Sequence, residues 1–134
     1  MLTILLVYKK VLLFELLKDH FAKSGIVNVL EAETVDEALK IAGEISLDLI
    51  IAAEQLDVMS GLEFVNILVT SNPLINTALV SSLSPKDFHE ATEGLGVLMQ
   101  LPLEPRKTDA EELLQKLAKL ANLMAFSTGN EVTA

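Results

Sequence analysis

Apolar runs alternate along the chain with segments whose apolar residues recur at helical spacing. Five of the runs are short and mostly apolar, which is typical of strands buried on both faces of a parallel sheet. They lie at residues 2–7, 26–30, 47–53, 75–81 and 97–100. The alternation predicts five strands, each followed by a helix.

Capping signals indicate where several of these helices begin. Thr34 with Glu37, and Thr108 with Glu111, have the spacing of a capping box. Ser84 before Pro85 predicts a serine N-cap with proline at the first helical position, where its missing N–H costs nothing. Apolar positions predict one buried face each on the first and last helices: Val11, Leu12, Phe14, Leu16, Leu17 and Phe21, and Leu113, Leu114, Leu117, Leu120 and Leu123.

These elements predict an α/β fold. Each connection is long enough to return the chain in parallel, so the strands should form an open sheet with helices on both faces. Right-handed connections favour the strand order 2-1-3-4-5, a flavodoxin-like three-layer sandwich. We expect one domain over residues 1–124 and a polar C-terminal tail over 125–134.

Composition favours a single acidic domain. The 134 residues are 51% hydrophobic, which is enough for a core, and their formal net charge is -9. Such a charge disfavours direct binding to nucleic acid or to an anionic membrane. The absence of cysteine excludes thiol chemistry and suits a cytoplasmic protein, and no apolar run has the length of a membrane span.

In a sheet of this kind the functional residues are expected at the carboxyl ends of the strands. Tyr8 and Lys9 follow the first strand, Ala53 ends the third, Ser81 ends the fourth, and Leu101 follows the fifth. These positions define the candidate site.

Four segments have a recognisable pattern: EAETVDEAL at 31–39, DLIIAAEQLDVMSGLEFV at 48–65, ALVSSLS at 78–84 and LPLEP at 101–105. In this order and spacing they resemble the receiver domain of bacterial two-component response regulators. The resemblance extends over about residues 2–123.

The resemblance implies phosphoryl transfer from a histidine kinase to an aspartate at the end of the third strand, with magnesium held by acidic residues after the first. Most of that machinery is missing. Ala53 stands where the acceptor aspartate is expected, and Tyr8 and Lys9 stand where the acidic pair is expected. Leu101 stands where receivers have the lysine after the fifth strand. Only the hydroxyl position is retained, as Ser81.

Physical chemistry agrees with this interpretation. Magnesium prefers carboxylate and water oxygens, and the Lys9 ammonium would repel it. An aspartyl phosphate requires a carboxylate nucleophile, which Ala53 lacks. We therefore interpret the chain as a pseudo-receiver: a non-enzymatic signalling module, without metal or cofactor, that acts through phosphorylation-independent protein–protein interaction.

Two alternatives stay open at this point. Phosphoryl acceptance could have moved to Glu54 or Asp57, or the edge could bind a small anion near Lys9 and Lys10. The two lysines could instead fill the metal position and pair with Glu54 or Asp57. We expect Ser81 to bond to loop backbone.

The resemblance also implies a partner face and a backbone feature. Receivers commonly dimerise, or meet an output domain or kinase, through the fourth helix, fifth strand and fifth helix. The candidate residues there are Lys86, His89, Glu90, Glu93, Arg106, Lys107, Glu112, Lys116 and Lys119. Receivers have a cis peptide bond before the proline that follows the fifth strand, so we expect a cis bond before Pro102.

Overall fold

The computed structural model describes residues 1–9 and 13–129. Strands and helices alternate in the predicted order. The strands are β1 (Leu2–Val7), β2 (Val27–Ala32), β3 (Leu49–Ala52), β4 (Thr77–Val80) and β5 (Val97–Leu101). The helices are α1 (Glu15–Ser24), α2 (Val35–Glu44), α3 (Gly61–Ser71), α4 (Pro85–Thr92) and α5 (Lys107–Gly129).

The strands form one parallel sheet in the order β2-β1-β3-β4-β5, which confirms the predicted topology. Near the carboxyl edge, Val7 of β1 is paired with Ala52 of β3, and Ala52 is paired with Leu79 of β4. Val80 of β4 is paired with Leu101 of β5. This register brings the ends of four strands to the same edge of the sheet.

Burial follows the position of each strand in the sheet. Every residue of the inner strands β3 and β4 is buried, whereas the outer strands β2 and β5 are mostly half-buried or exposed. Leu17 and Phe21 of α1 and Leu113 and Leu117 of α5 join the core, and α1 packs against α5. The apolar runs of the inner strands are therefore the interior of the sheet, as expected for parallel strands covered on both faces, whereas those of the two outer strands are only partly buried.

Two of the predicted caps are confirmed. The Thr34 hydroxyl accepts a hydrogen bond from the Glu37 N–H at 3.0 Å, whereas the Glu37 carboxylate accepts the N–H of Glu33 and not that of Thr34, so only the Thr34 half of the predicted capping box forms. The Ser84 hydroxyl accepts one from the Asp87 N–H at 3.1 Å, with Pro85 at the first helical position. Both serve helix N–H groups that have no partner within the helix.

The predicted capping box of Thr108 and Glu111 is wrong. Helix α5 begins at Lys107, and the Asp109 carboxylate accepts a hydrogen bond from the Arg106 N–H at 2.8 Å. An acid in the first turn, three residues after Arg106, reaches back to the backbone there, so the helix starts before Thr108 can cap it.

Helix α5 continues through Gly129, into the segment that the sequence assigns to a tail. Residues 130–134 of that segment lie outside the described residues, as do Lys10, Val11 and Leu12. No helix in the described part of the chain is long and apolar enough to cross a membrane.

Candidate functional site

Ala53 lies at the carboxyl edge of the sheet, directly after β3. Its N–H donates a hydrogen bond to the Val7 carbonyl at 3.0 Å, and the residue is only 4% exposed. The side chain at the position of the expected phosphoacceptor is thus a buried methyl group. It offers no nucleophile and no metal ligand.

Tyr8, after β1, belongs to a polar network that the sequence does not reveal. Its hydroxyl donates a hydrogen bond to Glu31 of β2, and the Lys18 ammonium donates one to the Tyr8 oxygen at 3.2 Å. Lys18 also lies 3.2 Å from a Glu15 carboxylate oxygen and 3.5 Å from one of Glu31. The Tyr8 ring packs edge-on against Phe14, with 5.1 Å between the ring centroids.

This environment shifts the ionisation of both central groups upward. Burial, and after it the hydrogen bond to Glu31, raises the pKa of the Tyr8 hydroxyl above its ordinary 10.0. The hydrogen bond with Tyr8 is the main cause that raises the pKa of the Lys18 ammonium above its ordinary 10.5. At neutral pH the Tyr8 phenol and the Lys18 ammonium are therefore both protonated.

Lys9 does not fill the site in the way the sequence suggested. It is exposed, and within the described residues neither Glu54 nor Asp57 lies within ion-pair distance of it. Both carboxylates are engaged elsewhere, which is the physical reason that Lys9 does not form the pairs considered for it. Lys10 lies outside the described residues, and Lys18 of α1 is the cation beside Tyr8.

Glu54 joins the segment after β3 to the segment after β4. One oxygen of its carboxylate accepts hydrogen bonds from the Ser82 N–H at 2.7 Å and from the Ser82 hydroxyl at 2.8 Å. The neighbouring Ser81 hydroxyl accepts the Leu83 N–H at 3.1 Å. Ser81 thus bonds to loop backbone, as expected.

Asp57 serves the start of a helix. Its carboxylate accepts a hydrogen bond from the N–H of Val35, the first residue of α2, at 3.0 Å. That N–H has no partner within the helix, and the positive end of the helix dipole favours the negative charge. The sequence placed Asp57 in the correct loop but gave no sign of this partner, because the two residues are 22 positions apart.

Leu101 ends β5 as a fully buried side chain, and its carbonyl accepts the Ser81 N–H at 3.1 Å. The peptide bond before Pro102 is trans, so the predicted cis bond is wrong. Trans is favoured before proline by about 0.5–1 kcal/mol unless a tight turn holds the cis form, and Pro102 is exposed at the start of a loop.

A pocket of about 420 Å³ opens above Ala53. Its apolar lining includes Leu13, Val80 and Leu103, and its polar lining is Lys9, Glu54, Gln55 and Glu104. Within the ranges 1–9 and 13–129, no three acidic or histidine side chains are grouped so that they could hold a metal ion.

The predicted partner face lies at the β5 edge of the sheet. Its exposed members are Lys86, His89, Glu90 and Glu93 on or next to α4, and Arg106, Lys107, Glu112 and Lys119 on or next to α5. Lys116 is half-buried and lies 3.8 Å from the Glu112 carboxylate. The face is charged and mixed in sign.

Solved structures with a similar fold include response-regulator receiver domains. The chemotaxis response regulator CheY4 of Vibrio cholerae gives a TM-score of 0.75 at 19% identity, over 87% of this chain and 98% of that one. A CheY-like receiver domain protein from Methanospirillum hungatei gives 0.78 at 18% identity, over 91% and 98%. NtrX from Brucella abortus gives 0.78 at 14% identity, over 94% of this chain and 29% of that one.

No family model matches the chain, and neither does any curated protein. At identities of 14–19% these comparisons rest on the similarity of the backbone and show the fold alone. The chain therefore has the fold of a response-regulator receiver domain, as the sequence predicted.

Proposed function

We propose that the chain is a signalling module that binds a protein partner without being phosphorylated. The observation that carries the proposal is the buried methyl group of Ala53 at the end of β3. A phosphorylated receiver needs a carboxylate there, and a magnesium ion needs acidic ligands where this chain has Tyr8 and Lys9.

The hydrogen bonds of the two nearby carboxylates support the same proposal. Phosphorylation of Glu54 would leave its bonds from Ser82 with an uncharged and weaker carbonyl acceptor, and phosphorylation of Asp57 would do the same to its bond from the first N–H of α2. In the described part of the chain, neither carboxylate lies next to a group of side chains that could hold a metal ion and so neutralise an incoming phosphoryl group. Transfer to these side chains is disfavoured on both grounds.

The partner is expected at α4, β5 and α5. This face combines an outer strand with two helices that carry exposed charges of both signs. Charged residues around an interface steer association and select the partner more than they strengthen binding. A protein with complementary charges, such as an output domain, a histidine kinase or a second copy of the chain, fits these properties.

Exposure to acetyl phosphate with magnesium, followed by intact-mass spectrometry, tests the first half of the proposal. We expect no phosphorylated species from the wild type or from Ala53→Asp, because that variant still has Lys9 and Leu101 in place of the metal ligand and the cation. Ready labelling of either protein would overturn the proposal. A quadruple variant, with Tyr8→Asp, Lys9→Asp and Leu101→Lys added to Ala53→Asp, serves as the positive control.

A photo-crosslinking amino acid at His89 of α4 tests the second half. A matched probe at Asp19 reports on exposed α1, away from the proposed face. In an extract of the native cells we expect one discrete adduct from the His89 probe, with the same yield when beryllofluoride and magnesium are added. Equal crosslinking from both probes, or a yield that depends on beryllofluoride, would contradict the proposal.

A further inference from the structure

The turn between β4 and α4, residues 81–84, is held by side chains from three places. Glu54 accepts both polar hydrogens of Ser82, as described above. Gln100 of β5 donates hydrogen bonds from its side-chain amide to the carbonyls of Ser81 at 3.1 Å and Leu83 at 2.8 Å. The turn adds its own bond, from the Leu83 N–H to the Ser81 hydroxyl. These contacts fix the turn in one conformation.

The bonds to Glu54 are the charged members of this set. Hydrogen bonds to a carboxylate are roughly twice as strong as neutral ones, and both donors of Ser82 converge on the same oxygen. Within the described residues, no basic side chain forms an ion pair with Glu54. The Ser82 N–H and hydroxyl are therefore the groups that bind this negative charge.

The position of the turn affects α4. Ser84, the last residue of the turn, caps that helix through the Asp87 N–H. Beneath the turn lies a pocket of about 220 Å³ whose apolar lining includes Leu62, Leu83 and Phe88. The turn therefore has space to move if its contacts are lost, and α4 would move with it.

We propose that the two donors of Ser82 form an anion-binding site and that the chain fills it with its own Glu54 carboxylate, which fixes the β4–α4 turn and the orientation of α4. Glu54 is thus a positioning residue whose carboxylate holds the turn. Because α4 belongs to the proposed partner face, an effect of this turn on partner binding would rest on the function proposed above. The anion site itself does not.

Amide hydrogen exchange measured by NMR on the whole chain tests the site. Glu54→Ala removes the acceptor, and we expect the Ser82 N–H to exchange about tenfold faster. Glu54→Gln keeps the shape of the side chain with a neutral acceptor, and a smaller acceleration is expected. Asp48→Ala is the matched control, because the Asp48 carboxylate accepts the Thr3 N–H at 2.7 Å at the opposite edge of the sheet. It should leave Ser82 unchanged.

Chemical rescue separates anion binding from ordinary structural support. Formate added to Glu54→Ala should slow the exchange of Ser82 and return the amide shifts of α4 toward the wild type, whereas chloride at equal ionic strength should not. Ser82→Ala in the same background should abolish that rescue, because formate loses the hydroxyl donor. The proposal would be overturned if the Ser82 N–H of Glu54→Ala exchanged at the wild-type rate, or if formate did not slow its exchange in that variant.

These experiments need neither a partner nor a phosphoryl donor. Failure of the exchange test would therefore leave the phosphorylation result untouched. Labelling by acetyl phosphate would in turn overturn the proposed function without affecting the contact between Glu54 and Ser82.

Discussion

Replacement of Gly61 by alanine should destabilise the fold at the end of β3, next to Ala53. Gly61 begins α3, and its N–H donates a hydrogen bond to the Glu54 carbonyl at 2.9 Å. A Cβ added there would overlap the carbonyl oxygen of Ala53 and would lie 2.7 Å from a methyl group of Leu79. The close approach of backbone to backbone is the reason this position requires glycine.

The cost follows from these contacts. Carbon atoms pack at about 3.5–4.0 Å, so the Leu79 methyl would have to withdraw by about 1 Å. The Ala53 oxygen can move only if the end of β3 moves, and that movement is opposed because the Ala53 N–H is bonded to the Val7 carbonyl. Overpacking a core costs about 1–3 kcal/mol, and an overlap with fixed backbone belongs at the upper end, so we expect a loss of about 3 kcal/mol.

Urea unfolding followed by circular dichroism measures this loss. With a slope of about 2 kcal/mol per molar urea, the midpoint of Gly61→Ala should fall by about 1.5 M. Gly43→Ala is the matched control, since a Cβ there meets nothing within 4 Å in the last turn of α2. The control should be neutral or more stable by about 0.5 kcal/mol. A Gly61→Ala protein within about 1 kcal/mol of the wild type would refute the reasoning.

Three further predictions concern polar groups of the fold. Tyr8 is the only tyrosine and the chain has no tryptophan, so ultraviolet absorbance follows the ionisation of Tyr8 alone. The midpoint of this titration should be higher in the folded protein than in the urea-unfolded protein, where the ordinary pKa of 10.0 applies. Equal midpoints would contradict the network. Because the folded pKa values of Tyr8 and Lys18 are both raised, their stabilisation is complete below pH 10.0 and is lost as the pH rises through the folded values, which urea midpoints across alkaline pH would detect. Thr77→Val should stabilise the fold by about 1 kcal/mol in the same urea assay, since the buried Thr77 hydroxyl has no hydrogen-bond partner among the described residues. Thr92→Val is its control and should destabilise, because the Thr92 hydroxyl donates to the Phe88 carbonyl at 2.8 Å; a less stable Thr77→Val protein would count against the argument.

The fold was predictable because its signals are local. Apolar runs give the strands, and caps such as Thr34 and Ser84 depend on residues three positions away. The start of α5 was mispredicted for a local reason as well, since Asp109 and Glu111 both offer a carboxylate and spacing alone does not say which one is used.

The candidate site was predictable only in part. The sequence places Tyr8, Ala53 and Ser81 at one edge, and the sheet brings them there. It does not reveal the bond from Tyr8 to Glu31, which depends on the pairing of β1 with β2 across 23 positions. The bonds from Ser82 to Glu54 are likewise hidden, because the two residues lie 28 positions apart, whereas the position of Glu54 next to Ala53 suggests a phosphoryl acceptor.

An amide NMR titration with magnesium, and then with magnesium and beryllofluoride, tests the central claim most directly. Beryllofluoride mimics an aspartyl phosphate and needs the same carboxylate and metal. We expect no shifts at the amides of Lys9, Ala53, Glu54, Asp57 and Ser81. Saturable shifts clustered at those residues would contradict the claim, because they would mean that a metal and phosphoryl site is retained at the edge of the sheet.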